Sequence, residues 1–251
     1  MTAEIETSED AVLGGRLRLR QPLKGHRVGH DAILLAAATG AQAGEHAVDL
    51  GAGVGAAGLA LASRVGGLQV TLVEIDPLLC RLAAENARLN RLDDRVRVIE
   101  GGVAQIGARL AGGSADRVLM NPPFNDPARQ NVSPDARRRL AHVAADDTLR
   151  VWTEAAARLL RADGTLTLIW RADGLPDVLA ALQREFGAVA VLPVHPREGA
   201  PPIRVLVRAA KGAAAPLRNC QALYLNDSGG RPSEAAEAVL REGKTLTLAA
   251  L

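Results

Sequence analysis

Val48-Asp49-Leu50-Gly51-Ala52-Gly53-Val54-Gly55 is the stretch on which the fold turns. It ends a short apolar run, His46 to Leu50, and opens an alanine-rich segment with helical spacing, Ala56 to Arg64. Glycines between a strand and a helix let the backbone turn sharply and let a ligand approach it closely. The helix N-terminus behind them favours a carboxylate or a phosphate. Glu74 closes a second apolar run, Gln69 to Glu74, about twenty residues further on. In an open α/β sheet ligands bind at the carboxyl ends of the strands. Glu74 is therefore expected beside the glycine turn, where a carboxylate can accept both hydroxyl protons of a ribose.

The pattern repeats outward from this stretch. Pro77 to Asn90 reads as a helix, with Pro77 in the first turn where its missing N–H costs nothing. Val96–Glu100, Arg117–Met120 and Thr165–Trp170 read as further strands, and Asp146–Arg161 and Leu175–Phe186 as helices. Strands alternating with helices predict a Rossmann-like α/β fold, a mostly parallel seven-stranded sheet with helices on both faces. The last two strands, Val189–Leu192 and Ile203–Val207, are joined by a Pro/Gly-rich hairpin too short for a helical crossover. That pair is expected to be antiparallel. Residues 232–242 read as a terminal helix. Upstream, Arg16 to Arg20 alternates charged and apolar residues as a half-buried strand does. Asp31 reads as the N-cap of a helix from Ala32 to about Ala41. Residues 1–12, with Glu4, Glu6, Glu9 and Asp10, read as a disordered acidic lead. Residues 13–251 read as a single domain.

Composition narrows the setting. Of the 251 residues 48 % are hydrophobic, enough for one sizeable core, and the net charge is only +2. Charge balance alone neither demands nor excludes a nucleic acid. Cys80 and Cys220 are far apart in sequence, which argues against a disulfide framework and fits a reducing cytoplasm. The acidic start is not a signal peptide. The densest early apolar run, Ala32 to Ala38, is too short to cross a bilayer, so no membrane role is expected. His26 and His30 stand four apart in a glycine-rich stretch without the Glu of a helical zinc motif, and no metal site is expected.

The glycine turn has two readings. Gly53-x-Gly55-x-x-Gly58, with Glu74 downstream, matches a dinucleotide fingerprint and an NAD-dependent oxidoreductase. Asp49-x-Gly51-x-Gly53-x-Gly55 matches the first motif of class I methyltransferases. The added acid and the earlier glycine favour the second reading, because a carboxylate sits poorly beside a pyrophosphate.

Asn121-Pro122-Pro123-Phe124 follows the fourth strand, again at the carboxyl edge. Two prolines hold the backbone extended and remove two N–H donors. The loop therefore offers acceptors, the Asn121 side-chain oxygen and the Pro122 carbonyl. An exocyclic amine is a poor nucleophile because its lone pair is delocalised into the ring. Two acceptors holding its hydrogens draw the nitrogen toward a tetrahedral shape and aim the lone pair. Phe124 is suited to stack on a base, and aromatics make up only 2 % of the chain.

Together, Asp49-x-Gly51-x-Gly53-x-Gly55, Glu74 and Asn121-Pro122-Pro123-Phe124 resemble the amino-methylating class I methyltransferases. The stretches Gln21-Pro22, Gly25, Arg27 to Leu35, Leu223 to Asp227 and Arg231-Pro232-Ser233 resemble the bacterial tRNA adenine-N6 methyltransferases that act beside the anticodon of a valine tRNA. The resemblance implies S-adenosylmethionine held by Asp49, Gly51, Ala52, Gly53, Gly55, Glu74 and Ile75, with Gly102, Val103 and Asn121 completing its site. It implies catalysis by Asn121 and Pro122, with Pro123 fixing the loop and Phe124 stacking. One position departs from the pattern. After the third strand such enzymes carry an Asp that accepts from the adenine amino group, and here the run is Glu100-Gly101-Gly102-Val103.

Residues 125–145 follow the loop and carry Arg129, Arg137, Arg138, Arg139 and His142, a basic stretch at the mouth of the site. With Arg27 and Asp31 they are the candidate contacts to RNA, tRNA above all, whose target base would be extruded from a single-stranded loop. A protein glutamine N5-methyltransferase poses the same geometric problem at nitrogen and is the alternative within methyl transfer. Those enzymes usually show Tyr where Phe124 stands.

Overall fold

The computed structural model describes residues 6–24, 27–123 and 134–250, and over 134–146 its backbone alone. Phe124 and Arg129 lie outside the described residues, and the side chains of Arg137 and Arg138 likewise.

The frame is a twisted sheet. Its strands are β3 (His46–Leu50), β4 (Gln69–Glu74), β5 (Val96–Glu100), β6 (Ala115–Met120), β7 (Leu160–Arg171), β8 (Phe186–Arg197) and β9 (Arg204–Lys211), with short β10 (Arg218–Asn219) and β11 (Leu223–Asn226) at one edge. The order is β10-β8-β9-β7-β6-β3-β4-β5, and β11 also pairs with β8. Within this sheet β9 alone runs against its neighbours, antiparallel to both β7 and β8. The expected antiparallel last pair is present. Among the described residues this sheet has nine strands where seven were expected, because the tail returns to add β10 and β11 in parallel to the edge of β8.

The apolar runs are strands because both faces of the sheet are covered. Alternate residues serve opposite cores: Ala47 lies in one and Val48 and Leu50 in the other. The first core is closed by α1 (His30–Ala38), α2 (Ala56–Arg64), α3 (Pro77–Leu89) and α6 (Glu234–Leu240). The second is closed by α4 (Pro134–Leu159), α5 (Leu175–Leu182) and a 3₁₀ turn, Val103–Ala108.

Three local readings are corrected. The acidic lead is not disordered over its second half: β1 (Thr7–Val12) pairs antiparallel with β2 (Leu17–Pro22). Its acids meet arginines across the ribbon, Glu9 with Arg18 at 2.5 Å and with Arg20 at 3.3 Å, and Asp10 with Arg27 at 2.7 Å. Asp31 does not cap α1. Gly29 holds that position, and Asp31 accepts from Arg204 of β9 at 2.9 Å. The helix read to Phe186 stops at Leu182, since Phe186 is the first residue of β8 and packs into the second core.

β2 has an unusual outer edge. Asn86 on α3 accepts from the Arg20 N–H at 2.7 Å and donates to the Arg20 carbonyl at 2.9 Å. Asn90, one turn on, does the same for Arg18, at 2.9 and 2.7 Å. Two side-chain amides thus stand in for a neighbouring strand and satisfy backbone groups that an edge otherwise leaves open.

Candidate active site

The sheet register brings the predicted residues to one edge. Leu50 of β3 pairs with Val73 of β4 and Met120 of β6, and Glu74 pairs with Glu100 of β5. The glycine turn, Glu74, the Gly101-Gly102 step and Asn121 therefore leave the sheet side by side. The chain runs from β3 outward through β4 and β5, then crosses back to place β6 on the other side of β3. That reversal is the switch point at which α/β sheets open a crevice for ligands.

The turn is built as the sequence requires. Gly51, Gly53 and Gly55 have φ of 67°, 58° and 89°, the left-handed region that side chains avoid. The Ala52 N–H donates to the Val73 carbonyl at 2.9 Å, and the Gly53 N–H to Glu74 Oε2 at 2.8 Å. Glu74 Oε1 accepts from the N–H groups of Ile75 and Asp76 at 2.8 and 2.9 Å. A carboxylate has about four lone-pair directions, so Glu74 is oriented by the backbone with acceptor capacity left over. A β-carbon at Gly53 would meet nothing within 4 Å among the described residues, which leaves room beside the turn for a ligand. Ile75 beside it is 69 % exposed.

Asp49 is buried, 2 % exposed, and Oδ2 accepts from the Gly58 N–H of α2 at 2.8 Å. It fastens the first turn of the helix to the strand from beneath the glycines. Burial pushes its carboxyl up from 3.8 to about 7, opposed by the Gly58 N–H and reinforced by the charge of Glu74. Between these values the folded chain holds a proton that the unfolded chain has released, so stability falls as pH rises through this window and is level above it. Asp49→Asn keeps an acceptor and removes the titration. In urea denaturation the variant should gain on the wild type progressively from about pH 4 to pH 7, by a few kcal/mol in order of magnitude. A stability difference independent of pH would refute the buried, proton-holding carboxyl. Gly58 itself packs α2 onto the sheet: an added β-carbon would lie 2.3 Å from Leu72 Cδ2.

Asn121 follows β6, with Pro122 buried and Pro123 exposed behind it. The Asn121 Oδ1 atom is buried and has no hydrogen-bond partner among the described residues. Leaving such an acceptor unpaired costs about 1–3 kcal/mol, which a fold tolerates where the atom has a use.

Two neighbours escaped sequence reasoning. Trp152 of α4 lies against the turn, and a β-carbon at Gly51 would be 2.3 Å from its Cη2. Asn86, which caps β2, also donates to the Val54 carbonyl of the turn at 3.0 Å. Its signal was an Asn among the buried Leu82, Ala83 and Ala87 of α3. Arg27 and Asp31, assigned to substrate, are each held in an internal ion pair, with Asp10 and Arg204. A cavity of about 370 Å³ between α4, α5 and Phe186 lies at the opposite, amino edge of the sheet, away from this chemistry. Among the described residues no cluster of His, Cys, Asp or Glu could hold a metal, and no helix is long and apolar enough to cross a membrane.

The chain is similar to several known proteins. A tRNA1(Val) (adenine(37)-N6)-methyltransferase of Porphyromonas gingivalis is 31 % identical over 158 residues, and the match spans 61 % of each chain. A Dickeya chrysanthemi protein of the same name is 28 % identical over 222 residues, 86 % of this chain and 87 % of its own. A crystal structure described as a predicted O-methyltransferase from Agrobacterium tumefaciens superposes with a TM-score of 0.73 at 26 % identity, covering 86 % of this chain and 98 % of that one. The family model for the methyltransferase small domain matches residues 27–196. Since that match takes in well over half of the sequence, with the glycine turn and the Asn-Pro-Pro loop inside it, the chain belongs to the methyltransferase small domain family.

Proposed function

We propose that the protein transfers a methyl group from S-adenosylmethionine to the exocyclic N6 of an adenine in tRNA. The observation that carries this reading is the buried Oδ1 of Asn121, without a hydrogen-bond partner among the described residues, at the sheet edge beside the glycine turn. An acceptor placed there, with the Pro122 carbonyl next in the chain, suits an N–H₂ group rather than a hydroxyl or a carbon. The tRNA substrate is supported by the names of the relatives and by the basic stretch after the loop.

The residues present fit this cofactor: Glu74 is oriented for a ribose, the turn at Gly53 is open, and the exposed Ile75 offers an apolar surface to a base. S-adenosylmethionine supplies, when bound, a methyl group already activated as a sulfonium. The protein's part is positioning and electrostatics. Asn121 and the Pro122 carbonyl hold the two amine hydrogens, turn the lone pair out of conjugation, and stabilise the positive charge that develops on nitrogen. Phe124 and the arginines 129, 137 and 138 are proposed to hold the base and the RNA backbone.

Purified protein incubated with methyl-labelled S-adenosylmethionine and either total tRNA or total protein, both from cells lacking the enzyme, tests the reading. Label is expected in tRNA and, after digestion, in N6-methyladenosine. Label in protein alone would overturn the substrate and favour the amide alternative.

A further inference from the structure

Gly102 departs from the family pattern, and the structure shows what stands in the space. A β-carbon at Gly102 would lie 2.6 Å from Oε1 of Gln105 and 3.4 Å from Cδ1 of Ile75. The Gln105 amide oxygen thus occupies the volume into which a side chain at 102 would grow. It is brought there by the 3₁₀ turn Val103–Ala108, in which the Gln105 N–H donates to the Gly102 carbonyl at 3.1 Å. Gln105 is exposed. Beside its amide lies Ile75, the most exposed large hydrophobic side chain among the described residues. An apolar face next to a neutral amide suits a flat heterocycle with a polar edge.

Topology says which heterocycle this is. Along the carboxyl edge the order is β6, β3, β4, β5. The acceptor loop follows β6, the glycine turn follows β3, Glu74 ends β4, and Gln105 comes after β5. A cofactor with its ribose at Glu74 and its methyl group toward Asn121 would bring its adenine to the far side of Glu74, near Ile75 and Gln105.

Resting on the reading that the cofactor is S-adenosylmethionine, we propose that Gln105 reads the adenine edge in this protein. Its amide oxygen accepts from the 6-amino group, and its amide N–H donates to ring N1. A carboxylate at this place can only accept, whereas an amide does both. Gly102 is then the residue that makes room for Gln105.

Calorimetric titration with S-adenosylhomocysteine, and with its analogue bearing hydrogen in place of the 6-amino group, tests this without turnover. The wild type should prefer the adenosyl compound by about tenfold, the size of one net hydrogen bond. In Gln105→Ala the preference should collapse to about twofold or less, while the analogue still binds and so reports a folded site. Gln105→Glu, which retains an acceptor, should keep the preference. A wild-type preference in Gln105→Ala, or its loss in Gln105→Glu, would overturn the role of Gln105 and leave the cofactor reading standing. A wild type that binds neither compound would overturn both.

Discussion

Asn121→Ala should lower kcat by about 10²–10³-fold while leaving the affinity for S-adenosylhomocysteine within about twofold of wild type. The split follows from where Oδ1 sits. It is buried beside the turn, yet no described residue bonds to it, so its removal breaks no hydrogen bond among the described residues. An interaction made only as the amine becomes tetrahedral appears in kcat and not in ground-state binding. Removing the orphaned acceptor should also raise the melting temperature slightly, because an unpaired buried oxygen is lost with it. Single-turnover methylation and a thermal melt read the two effects on one sample. Undiminished turnover would remove Asn121 from the mechanism. A large loss of cofactor affinity would make it a cofactor residue instead.

Gly51→Ala should destabilise the protein by about 2–4 kcal/mol and remove measurable cofactor binding, one methyl group doing both. About 1 kcal/mol comes from forcing a side chain to a φ of 67°. A further 1–3 kcal/mol comes from the new carbon meeting Trp152 Cη2 at 2.3 Å. Trp152 is partly buried and packs against the second core, so it cannot step aside freely. Either the indole shifts or the turn does, and a displaced turn presents Gly53 and Glu74 out of register. Trp152→Leu in the same chain should recover the steric part and leave the backbone part. A double-mutant cycle by urea denaturation measures that coupling, and strictly additive effects would refute the contact.

The frame was legible because buried parallel strands leave a plain trace. His46–Leu50, Gln69–Glu74 and Val96–Glu100 are apolar runs bounded by turn residues, and the structure begins and ends those strands there. The position of Glu74 and Asn121 was legible for a related reason: each is a polar residue at the end of such a run, which in this fold puts it at the carboxyl edge of the sheet. β1 was not legible, because its evidence lies in a partner. Glu9 and Asp10 look like a solvated acidic lead until β2 supplies Arg18 and Arg20, and Arg27 just beyond it, opposite them. Asp31 misled because an Asp before an apolar segment is a common cap, while here an arginine 173 positions away claims the carboxylate. Gln105 escaped because its amide fills the space that a side chain at Gly102 would take, which no spacing rule encodes. β10 and β11 escaped because a few residues pairing with a distant edge carry no periodicity of their own.

The asparagines on the edge of β2 also bear on the order in which the molecule can be finished. β2 emerges during synthesis well ahead of Asn86, which lies 66 residues beyond Arg20. Until that helix arrives, the ribbon of β1 and β2 has an open side, and short ribbons are marginal alone. The same Asn86 amide then closes the ribbon and bonds Val54 in the glycine turn. A nascent chain therefore gains its sealed flank and the tie from Asn86 to the glycine turn in a single event, the docking of α3. A ribosome paused before residue 90 would hold a chain with neither.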